Sequence, residues 1–349
     1  MNFLFIGTGK GYAPDKSLTN GLRENGHGVF ELPGNYETSG KYRSLRQALR
    51  KNTHPYDRII VGYCLPLLVP AVFLFSRKKA IFNAVCSQYE ANVISRNTAR
   101  PWSLGACKWW LIDFLSFHLS SFVLLESDAQ RTFVRKHFFV PQKKLVRSRM
   151  GVDENVFFFD PEIKKYTEFT VLFRGRFLPE SGILTVIEAA KMLEDKGVKF
   201  LVIGHGFMYR EVGALMKKLA PKNLTMLSET LPPKELRKKM LACHISLGQL
   251  ARHPRLERTL PGKLFESLAL KLPYLTGRNK GVLELLQDNE TCITTDPENA
   301  PMLAEKILFL KTHPETLQRI TENGYALYRE KLTSKILVKD LLENLLPQT

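Results

Sequence analysis

The densest chemistry in this 349-residue chain lies in nine consecutive residues, Arg258-Thr259-Leu260-Pro261-Gly262-Lys263-Leu264-Phe265-Glu266. Pro261 and Gly262 stop the preceding loop, so a helix is expected to open with Lys263 in its first turn. A lysine there opposes the helix dipole, and stability alone would not select it. A bound diphosphate reverses the sign of that argument. Glu266 follows one turn later on the same face, where its carboxylate can accept from two adjacent ribose hydroxyls. The simpler reading is an i,i+3 ion pair on a surface helix, worth about 0.3 kcal/mol. The apolar surroundings, LFESLALKLPYL, argue against free solvation of Glu266.

Two glycine-rich corners add to this. Gly7-Thr8-Gly9-Lys10-Gly11 and Gly204-His205-Gly206 each follow an apolar run, and such corners let backbone N–H groups approach a phosphate. Neither completes a dinucleotide fingerprint, because no acidic residue is read in the right setting near position 30. With one in each half, they point to a ligand held between two domains.

The elements that must position these residues follow from alternating apolar runs and amphipathic stretches. Strands are expected at Asn2–Ile6, Arg58–Val61, Ala80–Ala84 and Phe122–Leu125, with a helix from Asp15 to about Asn25. The pattern restarts at Thr170–Phe173 and continues through Phe200–Ile203, Leu224–Leu227, Ile245–Gly248 and a last strand at Tyr274–Leu275. Helices separate them near 182–196, 209–219, from Pro232–Pro233 onward, and 262–270. Strand-helix alternation of this kind favours parallel, doubly wound sheets. A domain of residues 1–160, a second of 161–333 and a closing helix from 334 to 349 are expected, with the join in the polar stretch 157–168. Ile59–Phe75 is too short and too rich in Gly62, Pro66 and Pro70 to span a bilayer, and reads as strand, turn and buried helix.

Composition narrows the partners. The chain carries 51 Lys/Arg against 34 Asp/Glu, a formal charge of +17, so its surface is drawn to phosphates. Residues 1–165 hold 24 bases and 13 acids, so the excess sits mainly in the first half. Five scattered cysteines without a CxxC spacing read as reduced core thiols of a cytoplasmic protein. The start, MNFLFIGTGKGYAP, reads as a first strand and not as a signal peptide. No DxD pair and no histidine at ligand spacing is present, so no metal is expected. No nucleic-acid-binding module is visible either.

Taken in order, these segments resemble the retaining family-4 glycosyltransferases. VLFRGRFLPESGILTVIEAAKML is similar to their strand-turn-helix, FLVIGHGF to their second strand and turn, and TLPGKLFESLALKLPYLTG to their donor segment. FIGTGKGYAPDKSLTNGLRENGHGV and the run through RSRMGVDENVFF extend the likeness to the first half. The resemblance implies an α/β GT-B architecture, with two Rossmann-like doubly wound domains facing a central cleft. It also implies a metal-independent, configuration-retaining sugar transfer from a UDP- or GDP-linked donor, with no further cofactor. Arg176 matches the arginine that contacts the donor diphosphate, Glu266 the glutamate on the nucleotide ribose, and Gly204 and Gly206 the turn beside the base. With Lys263, Arg176 and Glu266 are the expected catalytic set; Arg174, Arg258, Thr259 and Leu260 complete the donor side. Gly9, Lys10 and Gly11 form the expected acceptor-side loop. Two positions depart from the pattern. The family lysine before the helix glycine aligns with Ser181, and the first glutamate of the E-x7-E element falls on Arg258. Lys263, with Arg174 or Arg258, is expected to replace the missing cation.

The acceptor is expected to be a lipid-linked or cell-surface glycan precursor. Lys41–Lys51 is a basic amphipathic helix, Arg77-Lys78-Lys79 follows an apolar run, and Lys108-Trp109-Trp110 adds interfacial aromatics. Such features suit an anionic inner membrane face. A nucleotide-sugar epimerase of the same fold and a degenerate, non-catalytic nucleotide-sugar-binding protein are the alternatives.

Overall fold

The computed structural model describes residues 1–34, 36 and 38–345. The chain forms two compact units. One is Met1–Asp153 together with the segment from Leu332 on, and the other is Glu154–Lys331. The last four residues of the expected closing helix, 346–349, lie outside the described residues.

In the first unit the order is β1 (Asn2–Ile6), α1 (Ala13–Glu24), β2 (Gly28–Glu31), α2 (Lys41–Lys51), β3 (Arg58–Val61), α3 (Leu68–Ser76), β4 (Ile81–Val85), α4 (Leu104–Leu119), β5 (Phe122–Leu125), α5 (Asp128–Phe138) and β6 (Leu145–Arg147). The strands form one parallel sheet in the order β2-β1-β3-β4-β5-β6. Its two faces are separate apolar layers. Leu4, Ile6, Val61 and Phe82 pack against α2–α5 through Leu45, Val72, Phe117 and Phe138. On the other face Phe3, Phe5 and Ile60 pack with Leu18 and Leu22 of α1, and with Val338 and Leu341 of the last helix. The apolar stretch 59–75 divides as expected into β3, a turn and α3, and no described helix is long and apolar enough to cross a membrane.

The second unit repeats the scheme with β7 (Phe169–Arg174), α6 (Ile183–Met192), β8 (Val198–Ile203), α7 (Tyr209–Leu219), β9 (Leu224–Leu227), α8 (Pro233–Leu241), β10 (Ile245–Leu247), α9 (Gly262–Ala269), β11 (Tyr274–Gly277), α10 (Lys280–Leu283), β12 (Ile293–Thr295), α11 (Ala300–Thr312) and α12 (Pro314–Lys331). Its parallel sheet runs β12-β11-β10-β7-β8-β9. Strand β12 follows the strand expected to be last; its sequence, Ile-Thr-Thr, holds a single apolar side chain and gives no apolar run to read. Helix α13 (Ser334–Leu345) returns to the first unit and packs on α1. A Cβ on Gly21 would meet the Ser334 carbonyl oxygen at 2.2 Å, so only glycine allows that approach.

None of the five cysteines is in a disulfide. Cys86, Cys243 and Cys292 are buried, whereas Cys64 and Cys107 are exposed, against the expectation of core thiols throughout.

Candidate active site

In open parallel sheets a ligand sits beyond the carboxyl ends of the strands, where the strand order reverses. In the second unit that point lies between β7 and β10. Strand β7 ends in Arg174, followed by Gly175 and Arg176; β8 ends at Ile203, followed by Gly204-His205-Gly206. The two turns lie backbone against backbone. Gly175 N–H donates to the Ile203 carbonyl at 3.0 Å, and a Cβ on Gly204 would come within 1.9 Å of the Gly175 oxygen. A side chain at Gly204 would therefore force the turns apart. Beside them is a pocket of about 240 Å³, walled by Arg174, Arg176, Gly204, His205, Glu229 and Leu236 among others. It is smaller than the roughly 300 Å³ of a typical small-molecule site and suits one part of a larger ligand. Arg176 is exposed and makes no ion pair among the described residues.

Helix α9 starts where the Pro-Gly signal places it, and every side chain from Lys263 to Ala269 is buried. It is not a surface helix, and Lys263 and Glu266 do not form the simple i,i+3 pair. Instead Arg174, 92 residues away in sequence, donates to both carboxylate oxygens of Glu266. Lys263 is 9% exposed, and its ammonium has no hydrogen-bond partner. It rests 4.0 Å from the centroid of the Phe173 ring and fills the space a Cβ on Gly175 would need, 3.2 Å from that position at Cε. Burial pushes this ammonium down to about 7; the Arg174 charge adds to the fall, while Glu266 and Glu180 oppose it. An unpartnered cation in such a position is costly without a counter-charge.

The loop after β10 is tied down by a pair the sequence did not reveal. Arg255 donates to Glu180 at 2.6 Å, and Glu180 is 2% exposed. Ser181, at the position of the missing family cation, is fully buried, and its carbonyl accepts from Leu250 N–H at 3.2 Å. Thr259 is buried with its hydroxyl lacking a partner. Leu260 is fully enclosed and Arg258 follows a short helical turn over Pro254–Glu257. Arg174, Arg176 and Gly204 thus share one pocket; of its wall residues, Gly175 lies against Lys263 and Arg174 is bonded to Glu266, while Leu260 contributes packing. Gly206 packs on the Phe177 backbone just outside.

In the first unit the order reverses between β1 and β3. Gly7, Thr8, Gly9 and Gly11 line a pocket of about 280 Å³ together with Asp15, Lys16 and Glu31. Glu31 corrects the sequence reading: an acidic residue does stand at the end of the second strand, in the wall of the glycine-corner pocket. That strand is short and half-exposed, so its apolar pattern is weak. Lys10 is exposed, with its backbone N–H donating to the Thr8 hydroxyl at 3.3 Å. Asp15 is buried, accepting from Tyr63 N–H at 2.9 Å and from the Asn83 amide at 3.0 Å. Burial raises its carboxyl to about 6, against the opposing pull of those two donors. His118 is bonded to the Phe138 carbonyl at 3.0 Å and meets the Phe114 ring at a tilt within the helical layer.

Residues 156–327 match the family model described as glycosyl transferases group 1. Among curated proteins, the α-D-kanosaminyltransferase of Streptomyces kanamyceticus is 26% identical over 156 residues, which is 44% of this chain and 39% of that protein. The match therefore spans about two fifths of the relative's length. Among solved structures, Anabaena HepE, crystallised with UDP and glucose, superposes with a TM-score of 0.75 at 15% identity, covering 99% of both chains. Sucrose-phosphate synthase from Thermosynechococcus elongatus gives 0.73 at 13% identity, covering 97% of each. These findings support a glycosyltransferase, and the fold of the chain is GT-B.

Proposed function

We propose that the protein transfers a sugar from a nucleotide-sugar donor, UDP- or GDP-linked, to a glycan or lipid-linked acceptor. The observation that carries this reading is the buried Lys263 ammonium, without a hydrogen-bond partner, against Gly175 and in the field of Arg174 at the strand-order reversal of the second unit. A leaving diphosphate needs its charge neutralised, and preorganised cations in a dry site do this without reorganising. In this reading Arg176 and Lys263 receive the diphosphate oxygens. Glu266 exchanges its Arg174 partner for the ribose hydroxyls, and Arg174 turns toward the phosphates. The pocket beside Gly204 and His205 takes the base. The charge these side chains supply is what makes the proposed mechanism metal-independent. Retention of configuration rests on the family resemblance alone, and so does the assignment to family 4. HepE binds UDP, which makes uridine the base to try first. The acceptor assignment draws on the basic first half and on the glycine corner at Gly9-Lys10-Gly11.

The test is a panel of UDP-, GDP-, ADP- and CMP-sugars, followed by thermal shift and by nucleotide release with and without membrane extract. One donor should stabilise the protein, and release should rise with extract and collapse in Glu266→Ala. Stabilisation by no nucleotide sugar would remove the donor-site assignment. Donor interconversion without acceptor would favour an epimerase.

A further inference from the structure

Helix α4 is apolar on its outer side as well as its inner one. Ala106 and Phe117 are buried, and Trp110 and Phe114 pack on the core. On the other side Leu104 is 91% exposed, Leu111 50% and Leu115 41%, with Lys108 between them. The spacing of four, three and four residues makes one solvent-facing ridge of roughly 16 Å. Trp102, 96% exposed, extends it beyond the helix N-terminus. A helix that is apolar all round is normally enclosed, and a contiguous exposed ridge marks a surface that meets a partner.

The surroundings identify the partner. Helices α2, α3 and α4 lie side by side on the same face of the sheet. Leu74 of α3 adds a further exposed apolar side chain at 59%. Residues 38–125, which build this layer, hold twelve Lys/Arg and three Asp/Glu. Two of those acids, Glu90 and Asp113, are buried, leaving Asp57 alone at the surface. An apolar ridge in a field of bases fits an anionic bilayer: side chains enter the acyl boundary while lysines and arginines meet lipid phosphates. A second copy of the same face would bring like charges together, which disfavours self-association.

The expected membrane elements were α2, Arg77-Lys78-Lys79 and Lys108-Trp109-Trp110, and the structure changes the part of α2. Its apolar side is taken, since Leu45 is fully buried and Ala48 and Leu49 pack on the core. Apart from Tyr42, 41% exposed at its first turn, it has charge to offer and no apolar side chain to insert. We infer that the outer ridge of α4, from Trp102 to Leu115, inserts into the interface of an anionic membrane, with the bases of α2, α3 and Arg77–Lys79 holding its headgroups. Binding through this ridge is separate from the transfer reaction and does not depend on it.

The experiment is co-sedimentation of the full chain with phosphatidylcholine vesicles, and with vesicles also holding about 30% phosphatidylglycerol. The protein should pellet with the anionic vesicles and remain in solution with the neutral ones. Leu111→Glu combined with Leu115→Glu should reduce the bound fraction about tenfold, with the melting temperature and its shift by nucleotide sugar unchanged. Should that variant fail to fold, Trp102→Ser with Leu104→Ser, at the most exposed end, gives the same test. Lys78→Glu with Lys79→Glu should weaken anionic binding severalfold. No binding by the wild-type chain, or equal binding by the ridge variants, would overturn the inference. Self-association that disappears in the ridge variants, without vesicle binding, would overturn it in favour of a contact between copies. Loss of the nucleotide-sugar shift in the wild-type chain would strike the transfer reading and leave this one standing.

Discussion

The two units place a buried charge at the same topological position, and the two charges are treated in opposite ways. In the first, Asp15 stands at the reversal between β1 and β3 and is hydrogen-bonded, one carboxylate oxygen accepting from Tyr63 N–H of the loop after β3 and from the Asn83 amide of β4. In the second, Lys263 stands at the reversal between β7 and β10, against the Phe173 ring, and its ammonium has no hydrogen-bond partner. A satisfied buried charge is part of the scaffold, whereas an unsatisfied one raises the free energy of the empty protein. The second can be recovered when a counter-charge arrives. The contrast separates a fastening from a binding group without reference to any relative.

The largest effect expected from this contrast is on Lys263→Met, which keeps an apolar stem on Phe173 and removes the cation. Turnover should fall about 10²-fold, the scale of losing one preorganised stabilising donor, while the melting temperature holds or rises. A loss under threefold, or a collapse of stability, would erase the distinction. Asp15→Ala should behave in the opposite sense. It strands the Tyr63 N–H and the Asn83 amide, at a cost of about 2 kcal/mol in urea unfolding; Asp15→Asn, which retains an acceptor oxygen, should lose less.

The third prediction concerns pH. The empty site holds the Lys263 ammonium near 7, and a bound diphosphate must raise it, so donor binding takes up a proton. Affinity is then flat below pH 7 and falls as pH rises above it, by about tenfold per unit until the pKa of the complex is reached. Calorimetry across that range should show the slope in the wild type and its absence in Lys263→Met. The same lowered pKa sets the sign for stability. The penalty of the buried charge is fully present below pH 7 and is relieved as pH rises toward the unfolded value of 10.5. The stability gained by Lys263→Met should shrink over that window.

The smallest effect is expected from Arg174→Gln. Without the guanidinium, Glu266 is free to pair with Lys263 one turn away, which would occupy the cation the donor needs. The donor KM should rise by several-fold, consistent with a modest local ion pair, with kcat less affected. An unchanged KM would show that Arg174 does not keep Lys263 available.

Much of this was legible in the sequence where the signal is local. Asn2–Ile6, Arg58–Val61 and Phe122–Leu125 form strands with those boundaries, because each is an apolar run that stops at a glycine or polar residue. The opening of α9 at Gly262 follows from Pro261 and Gly262 in the same way. What stayed hidden depends on distant partners or on short elements. The Arg174–Glu266 and Arg255–Glu180 pairs join residues 92 and 75 apart, which no spacing rule connects. Asp15 reads as an ordinary first-turn acid until the fold closes over it. Strands β6 and β12 have three residues each. The α4 ridge escaped because an apolar residue facing water looks, in sequence, the same as one facing the core.

The most direct test of the central claim is calorimetric titration of UDP and the preferred UDP-sugar into the wild-type chain and Lys263→Met at pH 6.5, where the ammonium is charged, and at pH 8.5, where it is largely neutral before the donor binds. The account predicts saturable binding in the wild type, with proton uptake at pH 8.5 and little at pH 6.5, and in the variant affinity lowered by about 10²-fold at pH 6.5 without uptake at either pH. Equal affinities with equal proton balance would contradict it, since Lys263 would then be a buried lysine that meets no phosphate.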